Sequence, residues 1–248
     1  MKKISVVGIG PGGLDEMTPK ARKAIEEAQV VAGYNTYINF IEKILGGKKI
    51  IGRAMMQEVE RSQLAIEEAL TGRNVAVVSG GDAGVYGMAG LVLEMILDLP
   101  EKDRPQLEII AGVSAVNAAA AILGAPLMND FAIISLSDLM TPWEVIQKRV
   151  LAAAQGDFVI ALYNPKSKRR VTQLAEVQKI LLRFREKNTP VGIVTNAGRD
   201  GESKIISTLE NFTREEVNMF SLVIIGNSQT FVKAGYMLTP RGYDLVGS

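Results

Sequence analysis

Two short apolar runs, each ending in a glycine-rich loop, constrain the fold of this chain more than any other feature. Ile4 to Val7 is followed by Gly8-Ile9-Gly10-Pro11-Gly12-Gly13, and Val75 to Val78 leads into Ser79-Gly80-Gly81-Asp82-Ala83-Gly84. Apolar runs of this length that end in glycine are typical of buried parallel strands. Open α/β folds bind ligands at the carboxyl edge of such strands, so we expect both loops to contact a ligand. Glycine there lets the backbone approach the ligand without an intervening Cβ.

The first loop matches the dinucleotide fingerprint G-x-G-x-x-G through Gly8, Gly10 and Gly13, but its surroundings argue against NAD or FAD. The fingerprint requires a helix that begins inside the glycine turn and an acidic residue about 20 residues further on. Here the helix start signal is Thr18-Pro19, which comes several residues too late. The next strand ends in Ala32-Gly33-Tyr34-Asn35, without an acid. We therefore expect a ligand other than a dinucleotide.

The composition excludes several functional classes. The 248 residues include 28 basic and 27 acidic side chains, so no overall charge attracts nucleic acid or a membrane surface. The sequence has no Cys and no His, which rules out disulfides and thiolate metal sites and removes the commonest metal ligand and general base. No apolar run approaches the roughly 18 residues of a membrane span, and the run after Met1-Lys2-Lys3 is too short for a signal peptide. We expect a cytoplasmic protein without a protein-bound metal.

Alternating helical and strand-like patterns predict two α/β domains, residues 1–125 and 130–248, with the active site in the cleft between them. Helices are expected over Pro19–Ala28, Thr36–Leu45, Glu58–Leu70, Val85–Leu97 and Ala115–Leu123. The segment from Gly124 to Asp130 is interpreted as a linker, because Gly and Pro interrupt both element types. In the second half strands outnumber helices, so we expect a mixed sheet and a long basic helix from Arg169 to Lys187.

Four motifs occur in the same order as in a known family: Val7-Gly8-Ile9-Gly10-Pro11-Gly12, Gly80-Gly81-Asp82, Gly112-Val113-Ser114-Ala115 and Tyr163-Asn164-Pro165. Over essentially the whole chain, this order resembles the tetrapyrrole methyltransferases that use S-adenosylmethionine (SAM). Longer stretches resemble the precorrin-3B C17-methyltransferase branch: Asp130 to Leu139 with Thr141-Pro142-Trp143, Ala161 to Ser167, and Ile224 to Ser228. That branch usually has His before its Asp-Phe pair, whereas this chain has Asn129.

The resemblance implies methyl transfer from SAM to C17 of a precorrin-3-type tetrapyrrole in cobalamin biosynthesis, coupled to contraction of the macrocycle. It also implies a homodimer, and it identifies no catalytic acid or base. The cofactor-binding residues that it implies are Pro11, Gly80, Gly81, Asp82, Val85, Ser114, Ala115, Asn164 and Ala197. Two of these have a purely structural alternative, Ser114 as a helix N-cap and Asp82 as a turn residue.

A precorrin-type substrate carries many carboxylates, so basic side chains are the candidates to bind it. They are Lys166, Lys168, Arg169, Arg170, Arg199 and Arg53. Arg suits paired contacts with a carboxylate, while a solvated surface is the alternative for any single Lys. Met55, Met56 and Tyr86 are candidate contacts for the ring, although core packing is favoured for each Met.

Other functions stay open at this point. One is methylation of another precorrin carbon, of an RNA ribose or of a modified protein histidine, and the near-zero net charge argues against RNA. Another is a non-catalytic tetrapyrrole carrier, which the presence of both glycine loops disfavours.

Overall fold

The structure is a computed structural model that describes residues 2–54 and 56–244. Its internal contacts divide the chain into two compact units, Met1–Ala115 and Val116–Ser248. This division falls at residue 115, whereas the predicted first domain ends at 125. The interdomain cleft expected from the sequence stays a prediction.

The first unit is built on a parallel sheet in the strand order β3-β2-β4-β1-β5. Its strands are β1 (Lys3–Gly8), β2 (Val30–Tyr34), β3 (Lys49–Arg53), β4 (Asn74–Ser79) and β5 (Gln106–Ile110). The helices of this part of the chain are α1 (Pro19–Glu27), α2 (Asn35–Phe40), α3 (Glu58–Leu70) and α4 (Ala89–Leu97). The next helix, α5 (Ala115–Leu123), begins at the last residue of this unit. The predicted alternation of strands and helices is thus confirmed.

The sheet is covered on both faces, which explains the consecutive apolar residues in its central strands. Ile4 and Val6 of β1 pack into a core cluster with residues of α3 and α4. Val7 and Ile9 point to the other face and pack with residues of α1 and α2. Successive side chains of a strand alternate between faces, so a layer of helices on each face favours apolar residues at neighbouring positions of a strand.

The connections that leave β1 and β4 run in opposite directions across the sheet. From β1 the chain passes through α1 to β2, beyond β4, and from β4 it passes through α4 to β5, beyond β1. The carboxyl ends of β1 and β4 therefore form a topological switch point, the usual ligand site of open α/β sheets. Thr18 accepts a hydrogen bond from the Ala21 amide at 3.1 Å, and α1 begins at Pro19, which confirms the late helix start.

The second unit contains a sheet in the order β10-β9-β11-β8-β7. Its strands are β7 (Phe131–Ser135), β8 (Val159–Tyr163), β9 (Pro190–Thr195), β10 (Ser203–Thr208) and β11 (Ser221–Ile225), and its helices include α6 (Trp143–Gln155) and α7 (Gln173–Leu181). In this sheet β7 and β8 pair in parallel, whereas β8 with β11, β11 with β9 and β9 with β10 pair antiparallel, which confirms the predicted mixed sheet. A small sheet joins β6 (Gly124–Ala125), β12 (Phe231–Lys233) and β13 (Tyr236–Leu238).

Three sequence predictions about elements are wrong. Gly124 and Ala125 are not linker residues: they form β6, and Gly124 adopts a φ of 132° where the Met237 backbone comes close. The helix expected from Val85 begins at Ala89, because the Ala83 carbonyl accepts the Ala89 amide and closes the preceding loop. The helix expected over 169–187 is confined to α7, because the preceding residues form a side-chain-stabilised loop described below.

Within the described ranges, no helix has the length and apolar character that crossing a membrane requires.

Candidate functional site

The glycine loops after β1 and β4 are joined by their backbones. Gly10 donates its amide to the Gly81 carbonyl at 3.0 Å, and Gly81 donates its own to the Gly10 carbonyl at 2.8 Å. Both residues have positive φ, 80° and 66°, a conformation that glycine adopts without the usual steric penalty. The two loops therefore form one rigid backbone surface at the switch point.

The loop after β5 packs against the same surface. A Cβ added to Gly8 would lie 2.7 Å from both the Gly112 nitrogen and the Gly81 oxygen. A Cβ on Gly112 would likewise run into the Gly81 carbonyl oxygen. Because these obstacles are backbone atoms, no rotamer change can relieve them. The three loops at the carboxyl ends of β1, β4 and β5 thus require glycine where they meet, and we call them the glycine cradle.

Asp82 ties two loops of this cradle together. One carboxylate oxygen accepts the Gly84 amide at 2.8 Å, within its own loop. The other accepts the Gly112 amide at 3.0 Å, from the loop after β5. The predicted alternative role of Asp82 as a turn residue is therefore present in the structure, alongside any contact with a ligand.

The other predicted cofactor residues of the first unit lie on the same loops. Pro11 is buried and directly follows Gly10, and Val85 is half-buried in the loop after β4. The Tyr37 ring occupies the place of a Cβ at Gly80, with its Cζ atom 2.6 Å from that position. Ser114 is buried immediately before α5, and the Ala115 nitrogen lies 3.5 Å from the Cβ position of Gly81. The structure thus gathers all seven predicted residues of this unit in or beside the cradle.

The second unit places its two predicted cofactor residues at one sheet edge. Asn164 follows β8 and Ala197 follows β9, and these strands run in the same direction because β11 pairs antiparallel with both. Asn164 has a φ of 50°, and its side-chain amide donates to the Ser135 hydroxyl at 2.9 Å. Sequence reasoning assigned no role to Tyr163, whose hydroxyl accepts the Val116 amide at 2.9 Å, although it stands in the Tyr-Asn-Pro motif.

Arg170 differs from the other basic candidates because it is buried, with 9% of its surface exposed. Its Nε donates to the Asn164 carbonyl at 3.0 Å, and its Nη1 lies 3.3 Å from the Asp138 carboxylate. The Ser167 amide also donates to the Arg170 carbonyl. These contacts hold residues 164–170 as an ordered loop, which explains why no helix forms there.

The remaining basic candidates are more accessible. Lys166, Lys168 and Arg169 are exposed in the loop after β8, and Arg199 is partly buried in the loop after β9. Arg53, at the end of β3, donates its Nε to Glu60 at 2.9 Å and its Nη1 to the Gly52 carbonyl at 3.0 Å. Its charge is therefore balanced within the protein.

Two residues considered as ring contacts are exposed. Met56 is 71% exposed and Tyr86 is 56% exposed, and both have positive φ. The favoured core role is therefore wrong for Met56. Met55 lies outside the described residues.

Two further features of the described residues are their capacity to hold a metal and the cavity of the second unit. Within residues 2–54 and 56–244, no group of three or more His, Cys, Asp or Glu side chains is placed to hold a metal ion. A cavity of about 1,080 Å³ lies at the opposite edge of the second unit's sheet, and its lining includes none of the predicted site residues. Arg185 lines it and donates to the Gly226 carbonyl at 2.6 Å and to the Phe158 carbonyl. Burial lowers the pKa of Arg185 to about 10, against the attraction of Asp157.

Comparisons with known proteins identify the family. The chain is 50% identical over 242 residues to a Salmonella typhimurium protein named probable cobalt-factor III C(17)-methyltransferase. The matched residues cover 98% of this chain and 100% of the relative. It is 49% identical over 244 residues to the cobalt-factor III methyltransferase of Priestia megaterium, covering 98% of this chain but only 45% of that longer protein.

Solved structures agree with this assignment. The methyltransferase CobJ superposes with a TM-score of 0.89 at 35% identity, covering 96% of this chain and 99% of CobJ. A cobalt precorrin-4 methyltransferase, CbiF, shares the fold with a TM-score of 0.72 at 24% identity. A family model described as Tetrapyrrole (Corrin/Porphyrin) Methylases matches residues 3–213. The chain, with its glycine cradle at the switch point of an α/β sheet, therefore belongs to the tetrapyrrole methylases.

Proposed function

We propose that this chain is a SAM-dependent C-methyltransferase that methylates C17 of a cobalt-factor III or precorrin-3-type tetrapyrrole in cobalamin biosynthesis, with contraction of the ring. The observation that carries the proposal is the glycine cradle, built in a member of a methylase family. The names of the relatives support the same reaction, since two of them specify cobalt-factor III as the compound that is methylated.

The residues present fit SAM. Glycine at positions 8 and 112 lets the three loops of the cradle pack backbone against backbone, and side chains there would disrupt the arrangement of the residues proposed to bind SAM. When bound, SAM supplies a methyl group that its sulfonium has already activated. Gly80, Gly81, Asp82 and Val85 would hold its methionine and ribose, with Pro11 lining the pocket. Ser114 and Ala115, at the start of α5, would bind its carboxylate, because helix N-termini favour anions.

The remaining roles extend the resemblance to the second unit. Asn164 and Ala197 would contact the adenine. The Asn164 side chain is held by Ser135, and its carbonyl by Arg170, so its backbone is fixed before a ligand arrives.

The contribution of these residues to catalysis is orientation. The backbone bridge between Gly10 and Gly81 and the two hydrogen bonds of Asp82 fix the cradle in advance. Holding two reactants in the correct geometry lowers a barrier by up to about 7–11 kcal/mol in favourable cases. Such a reaction is compatible with a chain that has no His and no Cys.

The substrate is a polyanion, and the exposed Lys166, Lys168 and Arg169 are proposed to attract it. Any cobalt would enter as part of the substrate. We further propose a homodimer in the cytoplasm, on the family resemblance.

The test is incubation of the protein with methyl-labelled SAM and either cobalt-factor III or metal-free precorrin-3B. Incorporation of one labelled methyl group at C17, located by NMR of the product, is the expected result. Label at another carbon would assign the enzyme to a different step. Substrate binding without any transfer of label would indicate a carrier and overturn the proposal. Reactions without SAM and with heat-treated protein are the controls.

A further inference from the structure

Arg61 is a buried cation at the ligand-binding edge of the first unit. Only 3% of its surface is exposed, although Arg is almost never buried without a partner. It lies in the first turn of α3, which begins five residues after β3 ends, at Glu58. The carboxyl ends of the parallel strands form this edge, so Arg61 stands at the same edge as the glycine cradle.

The guanidinium of Arg61 is poorly satisfied. Its Nη2 donates to the Met88 sulfur at 3.2 Å, while its Nε and Nη1 have no hydrogen-bond partner among the residues that the structure describes. Thioether sulfur is a weak acceptor. Burial lowers the pKa of Arg61, and the nearby Glu58 and Tyr37 oppose that shift. Arg nevertheless stays protonated in proteins, so a positive charge with two unpaired nitrogen atoms is enclosed here.

Such an arrangement destabilises a fold, because the charge loses its hydration without gaining a full set of partners. Departures of this kind are expected where function requires them. Met88 connects Arg61 to the predicted site, because it ends the loop that follows β4, which contains Gly80, Gly81, Asp82 and Val85.

We propose that Arg61 binds a carboxylate of the tetrapyrrole substrate, which replaces the Met88 sulfur and takes up the unused donors. Met is flexible and polarisable, so its side chain can move aside for a stronger acceptor. A buried cation repels the sulfonium of SAM and attracts a polycarboxylate, which favours the substrate over the cofactor as the source of the carboxylate. The inference rests on the proposed function and adds one specific contact to it.

The test compares Arg61→Met, which removes the charge but keeps a long side chain, with Arg73→Met. Arg73 is an exposed residue that pairs with Glu68 just before β4 begins, at the opposite edge of the same sheet, so its substitution changes the net charge equally. We measure binding of cobalt-factor III by absorption spectroscopy, binding of S-adenosylhomocysteine by calorimetry, and Tm. The conservative variant Arg61→Lys and the fully esterified macrocycle complete the set.

In Arg61→Met we expect the substrate Kd to rise about tenfold to a hundredfold, as loss of a charged hydrogen bond predicts. S-adenosylhomocysteine affinity and Tm should be unchanged or higher. The substrate Kd of Arg61→Lys should lie between those of the wild type and Arg61→Met, and Arg73→Met should bind the substrate as the wild type does. The esterified macrocycle should bind equally to the wild type and to Arg61→Met.

Unchanged substrate affinity in Arg61→Met would overturn the inference, and so would equal losses for the substrate, its ester and S-adenosylhomocysteine, which indicate a structural role. If Arg61→Met does not fold, unchanged substrate affinity in Arg61→Lys would serve as the contradicting result. Failure of the wild-type protein to bind or methylate cobalt-factor III would instead count against the proposed function.

Discussion

The Asp82 carboxylate accepts a hydrogen bond from the backbone amide of Gly112 at 3.0 Å, so a side chain of one glycine loop holds another loop from 30 residues further along the chain. The second carboxylate oxygen accepts the Gly84 amide. A charged acceptor therefore satisfies two backbone donors and fixes the distance between the loops that follow β4 and β5.

Replacing Asp82 by Ala should weaken binding of S-adenosylhomocysteine while the protein stays folded. Loss of a hydrogen bond to a charged group is worth about 1.5–3 kcal/mol, or about tenfold to a hundredfold in affinity. Calorimetry gives the affinity and circular dichroism checks the fold. Asp98→Ala, at an exposed position after α4, is the matched control. Equal affinities of the wild type and Asp82→Ala would leave Asp82 with no role in cofactor binding.

Gly8→Ala, at the end of β1, and Gly13→Ala, in the loop that follows it, should behave differently. A Cβ at Gly8 meets two backbone atoms at 2.7 Å, whereas a Cβ at Gly13 has no atom within 4 Å. Overpacking of this kind typically costs about 1–3 kcal/mol, so Gly8→Ala should lower the free energy of unfolding and the cofactor affinity. Gly13→Ala should change neither. Urea unfolding and calorimetry measure both quantities, and comparable stability of the two variants would contradict a tightly packed cradle.

The basic residues of the loop after β8 should have two different roles, substrate attraction by the exposed residues and structural stability from the buried one. The double variant Lys168→Gln, Arg169→Gln removes exposed charges, so it should raise the substrate KM several-fold, since each exposed pair is worth about 0.2–1 kcal/mol. The effect should shrink with added salt, because salt screens exposed charges. Steady-state kinetics at two ionic strengths provides the measurement. A KM unaffected at low salt would reduce these residues to solvated surface.

Arg170→Gln should act on stability instead, because Arg170 is buried against Asp138 and the Asn164 carbonyl. Loss of these contacts should lower the free energy of unfolding by about 1.5–3 kcal/mol. Lys166→Gln, an exposed position in the same loop, is the control. Equal thermal stability of the two variants would show that the Asp138 contact contributes nothing.

The ion pairs of Glu108 should make stability depend on pH in the acid range. Lys20 donates to the Glu108 carboxylate at 2.8 Å and Lys3 donates to it at 3.0 Å. These two hydrogen bonds, the one from Lys20 contributing most, hold the pKa of Glu108 below its usual range. A carboxylate with a depressed folded-state pKa contributes stability above its ordinary pKa of about 4.3, and that contribution is lost as the pH falls through the folded value. Glu108→Gln should therefore lower the free energy of unfolding by about 0.2–1 kcal/mol at neutral pH and by less in acid. Urea unfolding across the acid range measures this, and a pH-independent difference would argue against the ion pairs as its cause.

Cofactor binding should survive a metal chelator, because the chain has no His or Cys and the described residues place no group of three or more Asp or Glu side chains to hold a metal ion. Calorimetry with S-adenosylhomocysteine before and after dialysis against EDTA measures this. Loss of binding that added metal restores would contradict it.

The local pattern of the sequence determined the elements whose signals are short-range. Apolar runs ending in glycine determined β1 and β4, and Thr18 with Pro19 determined the start of α1, because strand burial and helix capping depend on neighbouring residues. The same motifs, in their order, were sufficient for the family resemblance, and they predicted the cofactor-binding role proposed for the residues that the structure gathers in or beside the cradle.

Only the tertiary structure decided which residues meet across long stretches of chain. The pairing of Gly124 with β13 turns a predicted linker into a strand, and the contact of Arg170 with Asp138 turns predicted helix into loop. The burial of Arg61 has the same origin, since a charged residue in the first turn of a helix is usually solvated. Each outcome depends on partners more than twenty residues away, and the free energy of such contacts overrides local propensity without leaving a pattern in the neighbouring sequence.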